Sequence, residues 1–237
     1  MHRTDSGESD RRLSLLTEEQ GIVDVVAKGA RKSGSRLAGA SEPMVLAEFT
    51  WADGRANRFL QHVRPVTSFP GLRQDYDRIV AGVAWCDTLR TYLPYGAPGG
   101  EAFSLSVTVL AALEQFPEPV PVLVWGFARL LMGDGVAPDW LTALDTGERV
   151  SVTPVAFDFA AGGPVEDATQ ARGGVQWVDA QVLIGLSRVG SLETPPVKMA
   201  QSLDCLDLLK SVLEFHTDRK VAALGGLISE LRARTGV

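Results

Sequence analysis

Apolar residues recur at two different spacings along this chain, and the change of spacing divides it. Across residues 11–16, Leu13 and Leu15 alternate with Arg12 and Ser14, the pattern of a half-buried strand. Residues 22–27 are dense in β-branched side chains that suit a pleated surface, and residues 44–51 and 58–66 predict two further strands. Asp53-Gly54, between these last two, supplies the turn residues of a hairpin. Closely spaced strands with tight turns, and little helix before residue 68, predict a small antiparallel barrel or sandwich.

After Phe69-Pro70-Gly71 the spacing becomes helical. Leu72, Tyr76, Ile79, Val83, Cys86, Leu89 and Leu93 recur at steps of three and four, which predicts one apolar helix face. Pro94 to Gly100 end that helix, and Phe103, Val107, Leu110 and Leu113 predict a second, stopped by Pro117, Pro119 and Pro121. Residues 122–132 are apolar almost all round apart from Arg129, as the buried centre of a bundle should be. Residues 138–177 lose periodicity and gain glycine and valine, predicting a loop-rich lobe with one or two short strands. Helical spacing returns over 178–189, 203–215 and 221–231. The expected fold is α+β and multidomain: a small antiparallel β-barrel over residues 1–68, then an all-α domain over 69–237 carrying the lobe at about 138–177.

Composition changes little in this picture. Hydrophobic residues make up 45% and charged residues 22% of 237, enough apolar content for a core and too much for disorder. No apolar run approaches the length of a membrane span, and the first residues lack the apolar core of a signal peptide. Cys86 and Cys205 make no disulfide framework and fall on apolar helix faces, as inert buried thiols do. These features predict a cytoplasmic chain. No Ser/His/Asp arrangement, phosphate loop or carboxylate pair is discernible, so an enzyme is not expected.

Charge changes the picture more. The chain carries 23 basic and 29 acidic residues, a formal net charge of -6, yet residues 28–36 hold Lys28, Arg31, Lys32 and Arg36 and no acid. Gly29, Ala30, Ser33, Gly34 and Ser35 separate these cations, so backbone and charge can both approach an anion. Two readings stand on the residues alone: phosphate contact on a barrel loop, or a solvated surface loop. Arg11 and Arg12 straddle a strand, so one of them points outward and extends the basic patch. Phe49 and Trp51 share a strand face and, with Phe59, read as core fillers, Trp51 alone being kept as a base-stacking candidate. His216, at a helix C-terminus, reads as a partner of the helix dipole.

Several stretches, in order, resemble the RecO family of bacterial recombination mediators. They are Gly7-Glu8-Ser9-Asp10-Arg11-Arg12-Leu13-Ser14-Leu15-Leu16-Thr17; Val26-Ala27-Lys28-Gly29-Ala30-Arg31-Lys32 with Ser35-Arg36-Leu37-Ala38-Gly39 and Glu42-Pro43; Phe69-Pro70-Gly71-Leu72-Arg73; and Leu213-Glu214-Phe215-His216-Thr217-Asp218-Arg219-Lys220-Val221. The match is weak over residues 134–200. The resemblance implies an N-terminal OB-fold, a helical C-terminal domain and no enzymatic site. It also implies binding of single- and double-stranded DNA, annealing of complementary strands and loading of RecA. The implied partners are RecR and the acidic C-terminal tail of the single-strand-binding protein, with RecA acted on indirectly and the protein associated with the nucleoid. Under this resemblance Lys28, Arg31, Lys32 and Arg36 are DNA contacts, with Arg11 or Arg12 beside them. Arg129, Arg219 and Lys220 are able to meet the acids of the partner tail. The rival expectation is a protein–protein scaffold that kept the fold and has weak or no DNA binding.

Two departures from the family pattern carry expectations of their own. Family members begin with an apolar strand, whereas Met1-His2-Arg3 stands where its end should be, so either a truncated first strand or a true start upstream is expected, the upstream start being favoured. Many members also carry four zinc-binding cysteines in the lobe, and the aligned positions here are Ala143, Thr146, Glu166 and Thr169. The expectation is therefore no zinc, no other cofactor, and a lobe held by packing of Leu141, Leu144, Val155 and Phe157.

Overall fold

A computed structural model describes residues 1–236. Five strands come first: β1 (His2–Ser6), β2 (Asp10–Thr17), β3 (Gly21–Ala27), then a single-turn helix α1 (Leu37–Ala40), β4 (Leu46–Asp53) and β5 (Arg58–Thr67). Their order in the sheet is β1-β2-β3-β5-β4. The alternation of β2 is obeyed, Leu13 and Leu15 pairing with Val25 and Val23 of β3 and turning into the core. Leu60, Ala27 and Ala30 complete that core, and Phe49, Trp51 and Val63 pack on it. A register shift between Thr50 and Trp51 lets Leu60 and Val63, three apart, both face inward, as a bulge does.

The sheet departs from the expected wholly antiparallel barrel. β3 and β5 run parallel at Val25–Arg58 and Val26–Phe59, because β4 and β5 form a hairpin that follows the α1 crossover. Five strands, a helix between the third and fourth, and this pairing make an OB-like barrel. The first strand, expected to be cut short, is the five-residue β1, paired residue for residue with β2 from Ser6–Asp10 to His2–Ser14. Its polar side chains gave no apolar alternation to read.

A 3-10 turn at Pro70–Gln74 leads into α2 (Tyr76–Tyr92), capped by the Asp75 carboxylate, which accepts from the Arg78 amide at 3.0 Å. Tyr76 and Val83, placed by spacing on the buried face, are exposed, since the face that packs is the one bearing Ala81, Ala84, Trp85 and Leu89. α3 (Gly100–Gln115) follows. Contacts group Met1–Gln115 with Ala222–Leu224 as one compact unit and Phe116–Val221 with the residues from Gly225 as another.

The second unit opens with α4 (Pro119–Gly133), whose residues 121–128 are all buried. Arg129 lies 5.5 Å from the Trp125 ring, and both side chains donate to the Leu192 carbonyl. The lobe is a three-stranded sheet, more than the one or two strands expected: β6 (Val155–Asp158), β7 (Gly163–Val165) and β8 (Val175–Val178), in the order β7-β6-β8. α5 (Ala180–Val189) and α6 (Ser202–Thr217) pack with α4, and α7 (Ala222–Thr235) is the last helix. No described helix is long and apolar enough to cross a membrane.

Candidate nucleic-acid interface

The basic loop leaves β3 at Lys28 and is fixed before it displays its charges. Ala30 is fully buried in the barrel core and anchors the turn. Gly29 has φ +67°, a backbone that β-carbons disfavour, and its amide donates to the Asp10 carboxylate at 2.8 Å. The Arg31 amide donates to the Ser9 carbonyl at 2.9 Å, so the loop is stitched to the turn between β1 and β2. This explains why a Gly-Glu-x-Asp segment and a Lys-Gly-Ala-Arg segment occur together: one supplies the acceptors, the other the donors.

The four loop cations then separate by role. Lys28, Arg31, Lys32 and Arg36 are all exposed. Arg31 lies 3.4 Å from the Asp5 carboxylate and donates to the Gly7 carbonyl, so part of its charge is used within the fold. Lys32 and Arg36 make no ion pair among the described residues. The Lys28 ammonium sits 4.4 Å from the centre of the Phe59 ring, a cation–π contact.

Arg11 and Arg12 point to opposite faces, as strand geometry requires. Arg11 shares the inner face with Leu13 and is only 13% exposed. Its guanidinium donates to Ser41 Oγ at 2.6 Å, to the Ala38 carbonyl at 3.0 Å and to Glu42 at 3.1 Å. Arg3 meets the same Glu42 at 3.0 Å, so these groups tie β1 and β2 to the segment before β4. Arg12 faces outward and makes no ion pair among the described residues.

On that outer face the registers line up Thr4, Arg12, Val26 and Phe59 across four strands. Beside the row is a groove of about 300 Å³, floored by Arg12, Ser14 and Val26 and bounded by Asn57, Arg90 and Tyr95. Tyr95 is 56% exposed and bridges to Gly21 and Ile22, extending the sheet beside β3. Burial and the neighbouring Arg90 hold the His2 imidazole, also in this groove, below its usual pKa. Sequence reasoning missed Asn57, Phe59 and Tyr95 as members of this face. The i, i+2 relation of Val26 and Lys28 was the one signal for it; the pairing of β3 with β5 was invisible.

The aromatic readings divide accordingly. Phe49 and Trp51 pack against the barrel core, whereas Phe59 faces Lys28. Burial pushes the Cys86 thiol up, and it pushes Cys205 up to about 12, so neither supplies a thiolate. His216 Nδ1 lies 2.9 Å from the Val212 carbonyl at the end of α6.

In the lobe, the four positions expected from the resemblance to stand in place of zinc cysteines do not suit the metal. Ala143 has no donor atom, the Thr146 hydroxyl accepts from the Glu148 amide, and the Thr169 hydroxyl donates to Asp167. The Glu166 carboxylate accepts from the Ser151 amide and hydroxyl. Zinc needs four sulfur, nitrogen or carboxylate donors, and this set offers one carboxylate already engaged. No group of three or more His, Cys, Asp or Glu among the described residues is arranged to hold a metal. The two turns are joined instead by Asp145, which accepts from the Glu166 amide at 3.1 Å and the Asp167 amide at 2.8 Å. These amides, Asp167 first, hold the Asp145 carboxyl below the usual range. Asp158, fully buried, accepts from the amides of Ala160, Ala161 and Arg172. Burial alone would raise its pKa, and these amides outweigh burial and lower it. Val155 and Phe157 are buried as expected, but Leu144 is 44% exposed, so apolar packing is only part of what holds the lobe.

Two family models cover this chain: Recombination protein O N terminal matches residues 1–69, and Recombination protein O C terminal matches residues 73–224. Among curated relatives, a DNA repair protein RecO of Synechococcus sp. (strain JA-3-3Ab) is 33% identical, spanning 94% of this chain and 80% of its own length. The DNA repair protein RecO of Anaeromyxobacter dehalogenans (strain 2CP-C) is 31% identical, spanning 94% of this chain and 91% of the relative. That of Gloeobacter violaceus is 28% identical over 94% and 88% respectively. The OB-like barrel, the stitched basic loop and these matches agree: the chain belongs to the RecO family.

Proposed function

We propose that this chain is a non-enzymatic mediator of DNA repair and recombination. It binds single- and double-stranded DNA, anneals complementary strands and helps load RecA onto DNA coated with single-strand-binding protein. Family membership supports the class of function. The observation that carries the DNA-binding surface is the display of Lys28, Lys32 and Arg36, without acid partners among the described residues, on a loop tied down by Asp10 and Ala30. Such charges release counterions from a phosphate backbone, and the local field decides contact even where the net charge is -6. DNA contact on this reading lies within residues 1–68 and includes Arg31 and Arg12 at its edges, while Arg11 braces the barrel. RecR and the acidic tail of the single-strand-binding protein are its partners, and it works at the nucleoid. The lobe on this reading stands without zinc, Asp145 joining by its bonds to the Glu166 and Asp167 amides the turns that zinc is expected to join in many family members.

A strand-annealing assay, with and without single-strand-binding protein, tests the reading. Wild type should accelerate annealing of coated strands, and the Lys28→Ala, Lys32→Ala, Arg36→Ala triple variant should not. The salt dependence of duplex binding should flatten by about 0.9 log units per lost phosphate contact. Unchanged affinity and slope in the triple variant would overturn the assignment of the loop and favour the scaffold role.

A further inference from the structure

We infer that the outer face of β1, β2, β3 and β5 is a subsite for one unpaired nucleotide, with Phe59 as the stacking surface for its base and Arg12 as the contact for its phosphate. The inference rests on the DNA-binding reading above and adds a surface that distinguishes single strands from duplex.

Four observations lead to it. Arg12, Val26 and Phe59 are neighbours in one row, so the backbones that carry the cation and the aromatic ring stand two strand spacings apart, about 10 Å. Phe59 is the barrel aromatic that leaves the core, Phe49 and Trp51 being packed inward. Its ring is half-buried against Gly54 of the β4–β5 turn, where an added β-carbon would lie 2.6 Å from the ring, and this fixes its plane. A groove of about 300 Å³, within the range of small-ligand sites, opens beside the row and carries Asn57 and Tyr95 at its edges.

The chemistry selects an unpaired nucleotide. Every base has a π-face, so stacking on an aromatic ring is tolerant of sequence but needs a base freed from its neighbours. A base stacked within a duplex cannot lie on Phe59, whereas its phosphates still reach the exposed loop. Lys28 covers the ring in the free protein. On binding, its ammonium moves from the weak cation–π contact to a phosphate, and the base takes its place on the ring. Asp24, held by the Ser14 hydroxyl at 2.5 Å, puts a negative charge on the same face, so phosphate is steered toward the Arg12 and Lys28 side.

The test uses the full chain, a fluorescent oligo-dT and a duplex of equal length, with affinity followed across a salt series. Phe59→Leu should weaken oligo-dT binding about 5- to 100-fold with its salt slope unchanged, and leave duplex binding within twofold. Arg12→Ala should lower the single-strand slope by about 0.7. Photocrosslinking of wild type to a 5-iodouracil oligonucleotide should label the peptide containing Phe59, a readout that does not depend on any variant folding. Equal losses for both DNA forms, no loss in Phe59→Leu, or crosslinks confined elsewhere would overturn the subsite while leaving the basic loop assigned. Failure of wild type to bind either DNA would overturn both readings.

Discussion

Arg11 and Arg12 show how far a single side chain can be read in advance. Strand parity puts Arg11 on the face of Leu13 and Leu15, and Arg12 on the other. That much was legible. What parity does not reveal is a place on the inner face where a guanidinium is satisfied, and Ser41, Ala38 and Glu42, some thirty residues on, provide it. The two arginines therefore predict different phenotypes. Arg11→Ala removes the donor shared by Ser41 Oγ, the Ala38 carbonyl and Glu42, leaves Arg3 alone on Glu42, and should destabilise the barrel by about 1–3 kcal/mol in urea unfolding. Arg12→Ala, at an exposed position without an ion pair among the described residues, should leave the unfolding midpoint unchanged. Equal midpoints for both variants would show that the Arg11 network contributes nothing.

At the scale of elements, the lobe is the part least legible in the sequence. Its β-strands are three or four residues long, too short for a period to show. Its cross-links are carboxylate-to-amide bonds between positions as far apart as Asp145 and Glu166, which leave no local pattern. Asp139, Asp145, Asp158 and Asp167 all have carboxyls held below their usual values, through the Leu141 amide, the Asp167 amide, the amides around Asp158 and the Thr169 hydroxyl respectively. The sign follows directly. An unfolded lobe binds protons at ordinary aspartate pKa values near 4, while the folded lobe resists them. Stability from these bonds is complete above that pH and is lost as pH falls through the lower, folded-state values. Acid titration followed by fluorescence of Trp140, which stacks on Phe157 at 5.7 Å, should report this loss. Asp158→Ala removes the buried acceptor of the Ala160, Ala161 and Arg172 amides and should cost about 1–3 kcal/mol, shifting the acid transition to higher pH. A metal chelator should leave the melting curve unchanged. A chelator-sensitive lobe, or an Asp158→Ala transition equal to wild type, would refute this account.

At the scale of the whole molecule, the switch of period near residue 68 was legible and marks where strands give way to helices. It carries no information on packing: α2, α3 and the loop joining them group with the sheet, the loop through contacts such as Tyr95 with Gly21 and the Gly99 amide with the Glu18 carbonyl at 3.0 Å. The same limit applies to charge. A total of -6 argues against an anionic partner, whereas the arrangement of a few side chains on one unit argues for one. The two can be set against each other. Lys32→Glu and Lys198→Glu each move the net charge by two units in the same direction, but Lys32 lies on the stitched loop and Lys198 in the other compact unit. Exposed charges are screened beyond about 8 Å at physiological ionic strength, so if the loop itself contacts phosphate, the charge at position 32 and not the total decides affinity. In duplex binding at that ionic strength, Lys32→Glu should lose at least tenfold in affinity and Lys198→Glu less than twofold. Equal losses would mean that total charge governs association, and the stitched loop would then have no privileged contact with DNA.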